Sequence, residues 1–486
     1  MTPEEFRRAG HQLIDWIADY REKLSTLPVR GPIEPGEIKA AFDADLPVET
    51  AGFSALLEVL DAVVVPGITQ VQHPMHYGWF PSNASLSSVL GDIASSGLGS
   101  LGISWESSPA LTEVEEVVCD WLRQAVGLSS NWSSTFHDTA STSCLVALIV
   151  ARERASNNSY AGPGLAAADR APVVYCTGQA HSSVRKAALL AGFGADQVRI
   201  IDHDPETFAM DTVDLETRIA ADRTAGLIPA AVVATVGTTG TTAIDPVSDI
   251  VAVGGDSGLW VHVDAAMAGS AMILPECRPL WHGVEGADSI TWNPHKWLGT
   301  VLDTSLFHIR DVDLLIQVMS TNPTYLWSKA DGEVTQFRDW GIPLGRRFRA
   351  LKVLFQLRID GIEALQTRLR RDLSNAQWLA AQVEATPGWE VVAPVPLQTV
   401  CVVHTPEDAH GSAAFSVEEL NVHTRSWVDA INTSGQAYLT PTLLDDRWIA
   451  RVSIGVETTE RHHVERLWEL MQAAADEAAK SSVRSG

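Results

Sequence analysis

From residue 76 to about 350, short apolar β-prone runs alternate with helical stretches, and few architectures accept that order. The runs lie at 173–176, 198–201, 230–235, 259–264, 289–292 and 304–309, with helical periodicity at 112–125, 141–155 and 182–191. Such alternation predicts an α/β fold, a mostly parallel sheet with helices on both faces. Beyond 350 the pattern changes. A long helical region (346–383) leads to shorter strands near 391, 399–404 and 449–454, and Thr458-Thr459 then caps a last helix striped by Val464, Leu467, Trp468 and Met471. The other end opens on Thr2-Pro3-Glu4-Glu5, a capping box with proline at the first helical position. Phe6, Leu13, Ile17 and Tyr20 follow at helical spacing; Pro28, Pro32 and Pro35-Gly36 form an extended connector, and 52–65 reads as a second amphipathic helix. The expected domains are an N-terminal helical arm (1–75) docked on a second subunit, a large domain (76–350) and a small α+β domain (351–486).

The stretch Ser289-Ile290-Thr291-Trp292-Asn293-Pro294-His295-Lys296-Trp297 delivers a lysine between tryptophans just after a strand. A lysine in such surroundings is expected to be paired, neutralised or covalently engaged, unless it simply snorkels to the surface. Asp264 ends the apolar run 32 positions earlier and is followed by the small side chains of 265–271. Open α/β sheets place their ligands at the carboxyl ends of parallel strands. One strand–crossover–strand unit separates acid and lysine, so both can face one pocket. That pairing suits pyridoxal phosphate: the lysine holds the aldehyde as a Schiff base and the acid keeps the pyridine nitrogen protonated.

Three further motifs fit the same pocket. Asp138-Thr139-Ala140-Ser141-Thr142-Ser143 precedes a helix and offers backbone N–H groups to an anion, although an ordinary cap has the same composition. His181, in Gln179-Ala180-His181-Ser182-Ser183, stands at a strand-to-helix junction where it can stack on an aromatic cofactor or cap the helix. Thr235-Val236-Gly237-Thr238-Thr239-Gly240 is a hydroxyl-rich turn at a strand end. Gly97-Leu98-Gly99-Ser100-Leu101-Gly102 satisfies GxGxxG but follows a helical stretch, so it fails as a dinucleotide fingerprint.

A net charge of −25 over 486 residues argues against a nucleic-acid partner. The five cysteines are scattered, with neither metal-ligand spacing nor a disulfide framework, which fits a reducing compartment. No apolar h-region opens the chain and no apolar run reaches the ~18 residues of a membrane span. A cytoplasmic protein, without membrane attachment, is expected.

Taken in order, these motifs resemble a family. His73-Pro74, Trp79-Phe80-Pro81-Ser82, Ser104-Trp105, Ser108-Pro109, Gln179-Ala180-His181-Ser182-Ser183 and His262-Val263-Asp264-Ala265-Ala266 all recur there. So do Gly283-Val284-Glu285, Asn293-Pro294-His295-Lys296-Trp297 and Pro343-Leu344-Gly345-Arg346-Arg347-Phe348-Arg349. Together they resemble the aromatic-L-amino-acid decarboxylases, group II pyridoxal-phosphate decarboxylases of fold type I. The resemblance implies a large domain with a mostly parallel seven-stranded sheet, a small C-terminal α+β domain, and a homodimer with its active site at the interface. It implies that Lys296 carries the Schiff base, that Asp264 pairs with the pyridine nitrogen and that His181 stacks on the ring. Ala140, Ser141 and Asn293 then fall on the phosphate side, His295 among the other cofactor-binding residues, and Thr239 beside the cofactor. Trp79, Phe80, Ile103 from the other subunit, and Gly345 fall around the substrate side chain. Tyr325, in a lid-like loop, matches the tyrosine that protonates the substrate carbon.

The chain departs from that pattern at Met267 (commonly tyrosine), Asp138 (glycine in the animal enzymes) and Ile103 (commonly phenylalanine). Glycine at the position of Gly345 goes with indolic substrates in plant relatives, and serine with phenolic ones. Tryptophan or 5-hydroxytryptophan is thus the first expected substrate, followed by phenylalanine, tyrosine and DOPA. The same fold also runs oxidative deamination to an aldehyde or decarboxylation of non-aromatic amino acids, and Tyr325 with His181 favours simple decarboxylation. A cofactor-binding scaffold without turnover has no need for Lys296, Asp264, His181 and Tyr325 together.

Overall fold

The computed structural model describes residues 1–42, 45–165, 170–321, 332–406 and 415–484. They form two compact units: residues 1–81 with 377–392 and 401–486, and residues 82–376 with 393–400.

In the first unit, helix α1 (Pro3–Lys23) begins as its capping box requires. Thr2 Oγ1 accepts the N–H of Glu5 at 3.2 Å, and the Glu5 carboxylate accepts that of Thr2 at 2.6 Å. A short helix α2 (Glu37–Ala40) follows the proline connector. The helical segment expected at 52–65 is α3 (Phe53–Val59) continued through a π turn (Leu60–Val64) into α4 (Val65–Gly67).

The larger unit takes up the chain with α5 (Leu86–Leu98) and α6 (Pro109–Ala125), then β1 (Ser133–His137) and α7 (Ala140–Ala155). β2 (Pro172–Thr177), α8 (Ser182–Leu190), β3 (Val198–Ile201), α9 (Thr212–Thr224), β4 (Ile228–Thr235), α10 (Val247–Ser257) and β5 (Trp260–Asp264) continue the alternation. β6 (Ser289–Trp292), β7 (Ser305–Ile309), α11 (Val312–Met319) and α12 (Ala350–Ile359) complete it. Among the described residues the sheet has seven strands in the order β1-β7-β6-β5-β4-β2-β3. β7 runs antiparallel to both neighbours, and the other pairs are parallel. α7 has almost no polar face: Cys144, Val146, Ala147, Leu148, Val150 and Ala151 are all buried against Val174, Val233, Trp260 and Phe307 of the sheet. A helix apolar all round belongs inside a protein, and this one fills the face on which the site is built.

Each of the six expected strands is present. β1 was not among them. Its sequence Ser-Ser-Thr-Phe-His is polar, yet it pairs along its whole length with β7, from Ser133↔Ile309 to His137↔Ser305. Its hydroxyls meet partners inside the fold, Ser134 Oγ with His308 Nδ1 at 2.6 Å and Thr135 Oγ1 with Glu115 Oε1 at 2.9 Å. The long helical region is two helices, α12 and α13 (Ile362–Glu384), separated at Gly361, whose φ of +79° suits glycine.

Among the described residues a second, four-stranded sheet has the order β10-β11-β9-β8, with β8 (Trp389–Val391), β9 (Thr399–His404), β10 (Thr440–Leu444) and β11 (Arg447–Ser453). β10 also escaped the sequence reading; Asp445 and Asp446, at φ of +44° and +66°, turn it tightly into β11. Helices α14 (Val417–Ser434) and α15 (Arg461–Arg484) accompany this sheet. Trp389 meets Trp427 and Trp468 edge-on, at centroid distances of 5.6 and 4.8 Å. No described helix is long and apolar enough to cross a membrane.

Candidate active site

The site is built on the carboxyl ends of β4, β5 and β6. In register, Thr235, Asp264 and Thr291 form one row across the three strands. Asp264 is buried, and its Oδ1 accepts the N–H of Ala266 at 3.0 Å, which aims the carboxyl at the strand's end. The chain then turns through Ala265–Gly269, tied by Ala265 N–H to Thr291 O and Gly269 N–H to Ala265 O. Gly269 must be glycine here, because a Cβ would stand 2.3 Å from Trp292 Cβ.

Lys296 reaches the same end from β6. Asn293 N–H donates to Ala266 O at 2.9 Å, so the lysine's segment is pinned to the acid's loop by one backbone bond. The lysine lies in a five-residue turn (Pro294–Leu298) with its own backbone off the helical conformation, at φ −98° and ψ −111°. Its neighbour His295 is buried, and the ring's Nδ1 accepts the N–H of Thr304 at 3.0 Å. Burial first, and the Lys296 charge second, hold this imidazole down to about 4, so it is neutral at pH 7 with its proton on Nε2.

His181 caps α8: Nδ1 accepts the N–H of Ser183 at 3.2 Å and lies 2.7 Å from its Oγ. Burial lowers its pKa, the Lys296 charge lowers it further, and Asp264 pulls the other way. Lysine, acid and imidazole therefore feel one another, and the ring is neutral at pH 7. The turn after β4 is locked from inside, with Thr238 Oγ1 3.1 Å from Thr241 Oγ1 and accepting the N–H of Ala243. Thr239 is left at the exposed tip. Beside it, a Cβ on Gly240 would sit 3.4 Å from Gln179 Oε1, so this turn approaches the His181 segment.

At the head of α7, the N-cap Thr139 makes no side-chain cap bond, Ala140 is buried and Ser141 exposed. First-turn N–H groups have no intrahelical acceptor, so this end can take an anion. Asp138 Oδ1 accepts the N–H of Thr139 at 2.8 Å. Asn293 Oδ1 is buried without a hydrogen-bond partner. An orphaned amide oxygen beside a lysine, an acid and a small-residue turn suits a polar, planar ligand, and these residues fit pyridoxal phosphate.

The remaining expected residues fall in separate places. Ile103 and Gly345 come together: Gly102 N–H donates to Arg346 O at 3.1 Å, and a Cβ on Gly345 would make ordinary contact with Leu101 at 3.6 Å. Trp79 and Phe80 belong to the smaller unit. Trp79 is half exposed, at φ +51°, with its ring beside those of His76 and Tyr438; Phe80 lies under the Arg451 guanidinium at 4.4 Å. Met267 is buried, its Cε 3.6 Å from where a Cβ on Gly237 would be. Tyr325 lies outside the described residues. One residue of the site's floor was missed from sequence, His262, which shares a face with Asp264. Its Nδ1 lies 2.8 Å from Ser289 Oγ, which also accepts the Trp260 Nε1–H at 2.8 Å. The signal was its alternation with Asp264 along β5.

Comparison with known proteins agrees with this geometry. Residues 35–404 match the pyridoxal-dependent decarboxylase conserved domain. Tryptophan decarboxylase 2 of Oryza sativa subsp. japonica is 35% identical over 489 residues, covering 99% of this chain and 96% of the relative. Phenylacetaldehyde synthase of Arabidopsis thaliana is 36% identical over 484 residues, covering 98% and 96%. The crystal structure of Oryza sativa TDC with PLP and tryptamine superposes with a TM-score of 0.94 at 35% identity, over 98% of this chain and 99% of that one. Its sheet order and this near full-length match make the chain a member of the pyridoxal-dependent decarboxylase family, with the type I fold.

Proposed function

We propose that the chain decarboxylates an aromatic L-amino acid to the arylalkylamine and CO2, with tryptophan or 5-hydroxytryptophan as first substrate. The observation that carries this reading is the convergence of Lys296 and Asp264 on neighbouring strand ends, tied through Asn293 N–H to Ala266 O. The tryptophan decarboxylase from rice supports the indolic choice, as does Gly345. Bound pyridoxal phosphate supplies the electron sink that takes up the electron pair left when CO2 departs. Lys296 would hold the cofactor through its aldehyde, its amine presented at the Asp264 end of the sheet. Asp264 would hold a proton at the pyridine nitrogen, and His181, whose pKa burial lowers, would cover the ring without adding charge. Ala140, Ser141 and Asn293 would bind the phosphate side, with His295 and Thr239 also among the residues holding the cofactor. Trp79, Phe80, Ile103 of the partner subunit and Gly345 are the residues proposed to meet the substrate side chain, and Tyr325 would return a proton to the substrate carbon.

The chain acts as a homodimer in this reading, its N-terminal arm (1–75) packed on the partner. Exposed apolar rows support it: Leu86, Leu90 and Ile93 on α5, and Phe6 and Ile14 on α1. Five free, buried cysteines support a reducing, cytoplasmic setting. Sedimentation of the holoenzyme as a monomer would remove the dimer.

The similarity to an aldehyde synthase keeps a second reading in view. Mass spectrometry of products from an equimolar mixture of tryptophan, 5-hydroxytryptophan, tyrosine, DOPA and phenylalanine separates the two. Amines lighter than their parents by CO2, absent with Lys296→Ala, support decarboxylation, whereas aldehyde with peroxide supports the synthase. Turnover by Lys296→Ala would end both.

A further inference from the structure

The turn that carries Lys296 is held from behind by polar side chains of two helices. Asp372, on α13, is fully buried and accepts the Trp297 Nε1–H through Oδ2 at 2.9 Å. Arg368, one turn earlier on the same helix, donates through Nη2 to the carbonyl of Trp297 at 2.6 Å and that of Leu298 at 2.8 Å. Gln356, on α12, donates to the same Leu298 carbonyl at 2.9 Å and accepts the Thr300 hydroxyl at 2.6 Å. Gly299 closes the turn at φ +97°, and a Cβ there would stand 3.2 Å from both Arg368 Nη2 and Gln356 Nε2. On the other side, His295 is fixed by Thr304 N–H. Both neighbours of the lysine are thus tied down, and its own off-helix backbone is the hinge between them.

We infer that Asp372 and Arg368 are positioning residues for Lys296: through Trp297 they fix the backbone so that the lysine amine is presented at the Asp264 end of the sheet. The inference rests on the reading of Lys296 as the cofactor-bearing lysine. Physically, a side chain with four rotatable bonds finds one target only if its Cα is fixed, and preorganisation of this kind appears in affinity and in rate. A buried carboxylate on an indole N–H is a charge-assisted bond, stronger than a neutral one. Burial pushes the Asp372 carboxyl up to about 6, while Arg368 and Arg371 hold it down, so it is ionised above neutrality. The described hydrogen bonds of Asp372 run to Trp297 and Arg371 and not to Asp264, His181 or Asn293, which makes its effect on the lysine separable from direct binding.

The test uses the holoenzyme and three variants, Asp372→Leu, Asp372→Asn and Trp297→Phe. Three quantities are read besides turnover: the cofactor dissociation constant, the pH midpoint of the long-wavelength absorption of the lysine-bound cofactor, and the rate of borohydride trapping mapped to Lys296. Asp372→Leu is expected to weaken cofactor retention at least tenfold and to move the pH midpoint. Asp372→Asn, which still offers an acceptor to the indole N–H, is expected to recover most of the loss. Should Asp372→Leu fail to fold, Trp297→Phe decides, since it keeps an aromatic ring while removing the N–H with the five-membered half of the indole; a shifted midpoint there, with Asp372→Asn near wild type, supports the clamp. Wild-type retention and an unmoved midpoint in a folded Asp372→Leu or Trp297→Phe protein overturn it. Wild-type protein that traps cofactor at another lysine overturns the reading of Lys296 instead, so the two failures are told apart.

Discussion

His308 offers the clearest quantitative test of the fold. It sits in β7, fully buried, between Trp292 Nε1 at 3.1 Å from its Nε2 and Ser134 Oγ at 2.6 Å from its Nδ1. An indole N–H can only donate, so Nε2 accepts and the proton lies on Nδ1, donated to Ser134. A second proton would place two N–H groups face to face and bury a charge. Burial accordingly holds this imidazole down to about 3, against 6.5 in an open chain. For a base with a depressed folded pKa, the unfolded chain binds more protons below pH 6.5. The stability is therefore present above pH 6.5 and lost as pH falls towards 3. At pH 5 the unfolded chain has gained roughly 1.5 pH units of protonation, about 2 kcal/mol, that the folded state has not. His137 and His262, held down to about 4, act in the same direction, while Asp245 and Asp372, raised to about 6, oppose them. The comparison must therefore be between variants. Urea denaturation of the holoenzyme at pH 7 and pH 5 should show wild type losing about 2 kcal/mol more than His308→Gln between the two pH values. Equal losses in both proteins would refute the assignment of a neutral, network-locked His308.

Three other outcomes are expected. Glu115 and Arg346 form a buried pair, with Oε1 and Nη2 2.5 Å apart, so Glu115→Gln should lower stability by about 3–5 kcal/mol and Glu115→Leu with Arg346→Met by less, as urea midpoints would report. Gly269→Ala forces a Cβ to within 2.3 Å of Trp292 Cβ and should cost about 1–3 kcal/mol, with lower cofactor retention seen by absorbance. Gly345→Ser has room, with 3.6 Å to Leu101, so it should fold normally and move the ratio of kcat/KM values from tryptophan towards tyrosine; an unmoved ratio would remove Gly345 from the specificity argument.

Much of this fold could be read in the sequence, for identifiable reasons. Strands such as β5 and β6 are buried on both faces, and continuous apolar runs announce them. Asp264 stood out because a carboxylate terminated such a run. β1 did not, because its Ser, Thr and His side chains find their partners on α6, α7 and β7, contacts that only the folded chain makes. Pro441 concealed β10 in the same way, since proline usually interrupts strands. The break at Gly361 was absorbed into one long helical reading because both flanks share a helical period. At the site, Lys296, His181 and Asn293 were visible as motif residues. Asp372 was not, because an acid on a long helix reads as solvent-facing until its indole partner, 75 positions away, is in place.

The antiparallel strand β7 also sets an order of events during synthesis. Among the described residues β1 pairs in the sheet with β7 alone, and His137 waits for Ser305, 168 positions further on, before it can pair. The head of α7, with Ala140 and Ser141, hangs from the end of β1. A nascent chain that has not yet released Ile309 from the ribosome holds both of these segments without a fixed place. Cofactor capture should then be a late event of translation, and chains stalled near residue 300 should leave pyridoxal phosphate in solution while those stalled well past the end of β7 begin to retain it.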